Sequence, residues 1–200
     1  LARGATPLLG DVQARHDQPQ LPQPVELGEH RAEQGQGSRD VAADGLLLTT
    51  PGRSIHPGTI ARKIAEICER YQVVGLAYVR WRINDLLREF DRLGLQAYAE
   101  TERGDGLRLV PWGQGYRDFT PAIDALERAI LERTLIHGSH PVLTWNMANA
   151  VATMDPAGGR KIDKSKVRFR IDGAVALAMA MGLKSRDRQA EEFDASVMIG

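Results

Sequence analysis

Apolar side chains recur at helical spacing over Ile60, Ile64, Ile67, Cys68 and Tyr71, with Arg62, Lys63, Glu66, Glu69 and Arg70 between them, which predicts an amphipathic helix. The period then changes. Gln72 to Val79 is a nearly continuous apolar run without helical gaps, the pattern of a strand covered on both faces of a parallel or mixed sheet. Trp81, Ile83, Leu86, Leu87, Phe90 and Leu93 return to helical spacing, Gly94 is placed to end that helix, and Leu95 to Ala99 predicts another strand. Further on, Pro121 predicts the start of a helix through Ile123, Leu126, Ile130 and Leu131, capped by Thr120, and Pro141 to Val151 predicts another. Asp155 to Gly159 reads as a loop, and Asp172 to Met181 as a closing apolar helix. Helices alternating with strands in this way predict an α/β fold.

The same patterning sets the expected boundaries. Residues 1–43 carry Gln-Pro repeats and scattered Arg and Gly, and the first aromatic residue of the chain is Tyr71. Such a segment buries too little apolar surface to offset chain entropy, so it is expected to be disordered or foreign to the domain. The organised domain is expected over 44–183, opening with a short extended piece at Leu46-Leu47-Leu48-Thr49-Thr50 that Pro51-Gly52 stops. Residues 184–200 are expected to form a polar, fraying tail.

Composition narrows the classes. A chain of 200 residues with 42% hydrophobic content can build a real core. The single cysteine, Cys68, excludes an internal disulfide or a thiolate zinc cluster, and its helical register with apolar neighbours predicts a buried structural thiol. No apolar run approaches the roughly 20 residues that span a bilayer, so no membrane is expected, and the cytoplasm is the expected compartment. Formal net charge is zero, which argues against coating nucleic acid by bulk charge, so charge has to be read by segment.

One segment stands out. Arg160, Lys161, Lys164, Lys166, Arg168 and Arg170 fall close together, opposed only by Asp163, and lead into Asp172 at the first turn of the apolar closing helix. A cluster of this kind can hold phosphates without reading base sequence, although a solvated loop has the same composition. Asp172 has two readings. A carboxylate at a helix start can cap it and meet the positive end of its dipole, or it can serve as a metal ligand beside phosphate-binding cations.

Other motifs are weaker. His137 and His140 have no further ligand at zinc spacing and read as turn histidines. Asn146 and Asn149, three apart on one helix face, are suited to hydrogen-bonding backbone or capping a loop. Gly113-Gln114-Gly115 is too short for a phosphate-cradling loop, and neither a Walker-type pattern nor a Gly-x-Ser-x-Gly elbow occurs.

Six ordered pieces resemble the C-terminal nuclease domain of the terminase large subunit of tailed bacteriophages. They are Leu48 to Gly52, Leu76 to Trp81, Gly113 to Asp118, His137 to Leu143, Asp155 to Gly158 and Arg170 to Leu177. The resemblance implies a ribonuclease H-like mixed sheet flanked by helices, in which carboxylates hold paired Mg or Mn ions for cleavage of concatemeric double-stranded DNA during genome packaging. It implies the host cytoplasm as location and double-stranded DNA, the portal and the small terminase subunit as partners. On that resemblance Asp172 matches the last acidic ligand, and Lys161, Lys164, Lys166, Arg168 and Arg170 are the DNA-binding candidates.

The chain also departs from the family pattern. Val79 stands where the family has an aspartate, between Tyr78 and Arg80, and residues 1–43 contain no apolar strand ending in Asp for the first ligand. Asp85 lies about 9 Å along a helix from position 79 and is no substitute. The expectation is therefore a truncated, degenerate nuclease domain that lacks its first strands, with impaired or absent cleavage. The alternative is a non-catalytic module that binds DNA or another packaging component.

Overall fold

The computed structural model describes residues 42–52, 54–80, 83–166 and 169–197, with backbone alone over 191–197. Of the predicted N-terminal segment, residues 1–43, residues 1–41 lie outside the described residues, as do Trp81 and Arg168. The elements in chain order are α1 (Pro57–Arg70), β1 (Leu76–Tyr78), α2 (Ile83–Leu93), β2 (Ala97–Ala99), β3 (Leu107–Pro111), α3 (Tyr116–Leu131), α4 (Pro141–Asn149), β4 (Ala152–Met154), β5 (Arg160–Ile162), a 3-10 turn at Lys164–Lys166, and α5 (Asp172–Val197).

Local chemistry explains most of the boundaries. His56 caps α1 by accepting the Gly58 N–H on Nδ1 at 3.1 Å, and Pro57 occupies the first helical position, where a missing N–H costs nothing. Gly94, with φ at +70°, ends α2 in the left-handed region, as its place in the sequence predicts. β1, β2 and β3 form a parallel sheet in the order β1-β3-β2, with Leu76 opposite Leu109 and Ala97 opposite Leu107. β4 and β5 form a separate antiparallel hairpin. Among the described strands the main sheet is parallel, one of the two arrangements that the apolar run of β1 predicts.

β3 is the axis of the domain, and its side chains alternate between two cores. Leu107 and Leu109 pack with Ala61 and Phe90 beneath α1 and α2. Val110 joins Trp112, Phe119, Ala122, Leu126, Ile171, Val175, Ala178, Met179 and Leu183 against α3 and α5 on the opposite face. The result is an α/β sandwich in which helices cover both faces of a small parallel sheet.

Several expectations need correction. Leu46, Leu47 and Leu48 do not form a strand; Leu46 and Leu47 lie in a bend, and all three are exposed. β1 is shorter than the apolar run that predicts it and is an edge strand among the described ones, and Val74 and Val79 are exposed there. α3 starts a turn before Pro121, at a Gly115 cap. Thr120 then sits inside the helix, where its hydroxyl donates to the Tyr116 carbonyl and accepts the Arg160 N–H. Cys68 is only half-buried, in the α1–α2 core, and that partial desolvation raises its thiol pKa. The loop expected at Asp155 is the tip of the β4–β5 hairpin, held by Asp155 Oδ1, which accepts from Ala157 N at 3.0 Å and Gly159 N at 2.7 Å.

The closing helix also outruns its prediction, continuing to Val197 where a fraying tail was expected after Gly182. Gly182 is a packing residue and not a stop. A Cβ there would lie 2.7 Å from the Ala122 Cβ and from the Trp112 ring, so the missing side chain lets α5 close onto α3. Gly182→Ala tests this. An ordinary helical Gly→Ala gains up to about 1 kcal/mol from propensity, whereas overpacking here is expected to cost about 1–3 kcal/mol net. Urea denaturation reads the sign, and a stabilised variant would show that the helices do not meet so closely.

Candidate nuclease site

A groove of about 1070 Å³ runs between β1 and α5. Asp172 and Val79 both line it, together with Lys164, Met179, Ala180 and Asp187. The two sequence positions that matter most to the nuclease resemblance, far apart in the chain, are therefore brought to one cleft. Sheet and helix achieve this together: β1 ends at Tyr78, so position 79 emerges at the C-terminal end of a parallel strand, where α/β proteins place their ligands. The first turn of α5 faces it across the groove.

Asp172 occupies the first helical position of α5 and is mostly exposed. The capping reading does not describe its side chain. The Ile171 carbonyl accepts the first intrahelical bond, from Val175 N at 3.0 Å, which makes Ile171 the cap residue. Asp172 Oδ1 instead accepts from Lys164 Nζ at 2.8 Å. The Gly173 N–H is taken by Asn146 Oδ1 at 2.8 Å, and Asn146 Nδ2 donates to the Val142 carbonyl at 2.9 Å. Asn146 is thus among the residues that hydrogen-bond backbone, as its place on α4 predicts, and Asn149 does likewise by donating to the Trp145 carbonyl.

The basic run divides in the fold. Arg160 is tied to α3 through ion pairs with Asp124 and, at 2.8 Å, Glu127, and hydrogen bonds from both acids, Glu127 foremost, raise its already high pKa. Lys161 lies over the Tyr116 ring at 4.9 Å. Lys164 faces Asp172, while Lys166 and Arg170 are exposed. Arg168 lies outside the described residues. The histidines are turn residues: His137 Nδ1 accepts the Ser139 N–H at 3.2 Å, and His140 precedes α4.

Divalent metals of the Mg or Mn type need several hard oxygen donors converging on one point. Among the described residues no three His, Cys, Asp or Glu side chains converge in this way. Asp187 shares the groove with Asp172 but is ion-paired with Arg108, and fifteen helical residues separate the two acids by about 22 Å at about 1.5 Å per residue. Asp85 pairs with Arg88 at 2.5 Å on α2 and does not line the groove. The Val79 side chain offers no oxygen. The described donor set, a single cation-paired carboxylate, does not fit a paired-metal centre.

Two features of the site escaped sequence reasoning. β3 was not predicted, although Leu107-Arg108-Leu109-Val110 after Gly106 carries a strand-like alternation. Arg108 and Asp187, whose ion pair joins β3 to α5 at the groove, have no sequence signal, since 79 positions separate them.

Residues 47–187 match the family model described as terminase large subunit, endonuclease domain. The chain belongs to that family. It is 39% identical over 174 residues to the terminase large subunit of Enterobacteria phage HK97, a match covering 86% of this chain and 32% of the relative. Protein YmfN of Escherichia coli strain K12 is 34% identical over 94 residues, covering 46% of this chain and 21% of its own. The crystal structure of the HK97 bacteriophage large terminase superposes with a TM-score of 0.65 at 40% identity, over 76% of this chain and 30% of that one. The chain thus spans about a third of the HK97 relative's length. Its terminase endonuclease fold, a parallel sheet flanked by helices, is consistent with the ribonuclease H-like expectation. No described helix is long and apolar enough to cross a membrane.

The turn that carries Lys164 has its own anchor. Asp163 accepts from the Ser165 hydroxyl at 2.6 Å and the Ser165 N–H at 2.9 Å. These bonds, the hydroxyl's first, hold its carboxyl below the usual range, with help from Lys161 and Lys166. A depressed carboxyl pKa adds stability that is present above the unfolded value of about 3.9 and is lost as pH falls through the folded value. Ser165→Ala is expected to raise the Asp163 pKa toward the ordinary value in an NMR titration. An unmoved titration would show that the turn does not depend on this pair of bonds.

Proposed function

We propose that this chain is the nuclease part of a phage DNA-packaging terminase whose metal-dependent cleavage of concatemeric double-stranded DNA is impaired. The observation that carries this reading is the groove itself, with Asp172 on one side and the apolar Val79 on the other. In two-metal phosphodiester cleavage, one metal activates the attacking water and the other stabilises the leaving oxygen, and both must be held by oxygen ligands. Asp172 supplies one carboxylate and Val79 supplies none. Mg or Mn is accordingly the cofactor of the competent relatives' chemistry and would be weakly held here. The partners that fit this reading are double-stranded DNA, the portal and the small terminase subunit, in the cytoplasm of a bacterial host.

A second reading is a non-catalytic module that binds DNA or docks on another packaging component. It is favoured by Lys166 and Arg170, whose exposed side chains extend the basic run away from its internal ion pairs. Phosphate contacts of this kind release counterions, so affinity for DNA would fall linearly with the logarithm of salt concentration.

A plasmid-nicking assay with Mg or Mn tests the first reading. The chain is expected to leave supercoiled plasmid intact, and Val79→Asp alone is expected not to restore nicking, because the further acid described in the groove, Asp187, is paired with Arg108 and lies about 22 Å along α5 from Asp172. Robust cleavage abolished by Asp172→Ala would overturn it. Salt-dependent binding of plasmid without nicking is the result expected of the second reading.

A further inference from the structure

Helix α5 begins with an apolar cap residue. Ile171 is buried and has no side-chain acceptor, so the first N–H groups of the helix need one from elsewhere. Asp172, next in sequence, is the nearest acceptor, and short carboxylates at helix starts readily turn back onto such groups. Here it does not turn back. Asn146, on a different helix, takes the Gly173 N–H at 2.8 Å.

Asn146 is built for that task. It is 4% exposed and is the buried polar residue among the described ones. Its amide is spent in both directions, Nδ2 on Val142 and Oδ1 on Gly173, so its orientation is fixed. A Cβ at position 173 would lie 3.2 Å from Asn146 Oδ1, and the glycine leaves room for that approach. The neighbouring Trp145 ring meets Phe169 at 5.8 Å between centroids, joining α4 to the segment just before α5.

We propose that Asn146 is a positioning residue for Asp172: by capping α5 from α4, it relieves Asp172 of that duty and leaves its carboxylate standing in the groove beside Lys164. The functional weight of this rests on Asp172 being the nuclease acid, but the geometry does not. Loss of the cap exposes the Gly173 N–H, and the Asp172 side chain then turns back to accept it and leaves Lys164.

The test is a double-mutant comparison by carbon-13 NMR of the whole chain, without metal or DNA, following the Asp172 carboxylate carbon. Lys164→Gln is expected to shift that resonance in the wild-type background and to have no effect in Asn146→Ala. Asn146→Asp, which keeps the accepting oxygen, is expected to restore the response. Gly173→Ala, which crowds the cap without emptying a buried site, should also abolish it and serves if Asn146→Ala does not fold. A response to Lys164→Gln that survives in the uncapped variants, or none in the wild type, overturns the proposal. Because nothing in this experiment depends on cleavage, its failure is separate from failure of the nuclease reading.

Discussion

The domain depends on the close approach of α5 to α3. Ala178, with its small side chain, and Gly182, with none, lie where the helices meet, and Val175, Met179 and Leu183 fill the core beside them. A helix that is apolar on most of its circumference must be covered on most of it, and α3 with β3 does that here. This contact fixes the axis of α5, and with it the place where the helix starts. Asp172 is therefore positioned by packing several turns away from it.

The basic run shows how composition and function part company. Six cations in a short stretch look like a phosphate-binding surface, yet Arg160 spends its charge on Asp124 and Glu127, Lys161 lies on Tyr116, and Lys164 faces Asp172. Exposed pairs of this kind contribute at most about 1 kcal/mol each, so the effect is less on stability than on where the β4–β5 hairpin sits. Arg160 fastens the hairpin to α3, and the turn that follows carries Lys164 to the groove. A cluster with no net partner in the sequence acquires partners in the fold.

The groove is electrostatically mixed. Asp172 faces Lys164, Asp187 pairs with Arg108, and Val79 adds an apolar wall. Each acid has a cation of the protein's own beside it. Paired-metal chemistry calls for convergent carboxylates, and here each of the two acids is neutralised locally while their separation along α5 keeps them from sharing one ion.

Much of the fold was legible in the sequence because it follows from local periods. The 3.6-residue spacing marked α1 and α2, the ungapped run marked β1, Gly94 marked the end of α2, and the ordered motifs around Asp172 and Val79 marked the family. What was misread depended on neighbours distant in sequence. Gly182 looked like a terminator until Trp112 and Ala122 were seen against it, and the Leu46–Leu48 run looked like a strand although its side chains are exposed among the described residues. The sequence by itself determined which residues carry acid, base and apolar surface, since these are properties of single side chains and short periods. Only the tertiary structure decided that Asp172 faces Lys164 rather than its own helix, and that Val79 shares its groove, because both outcomes are set by contacts among elements that the chain brings together only on folding.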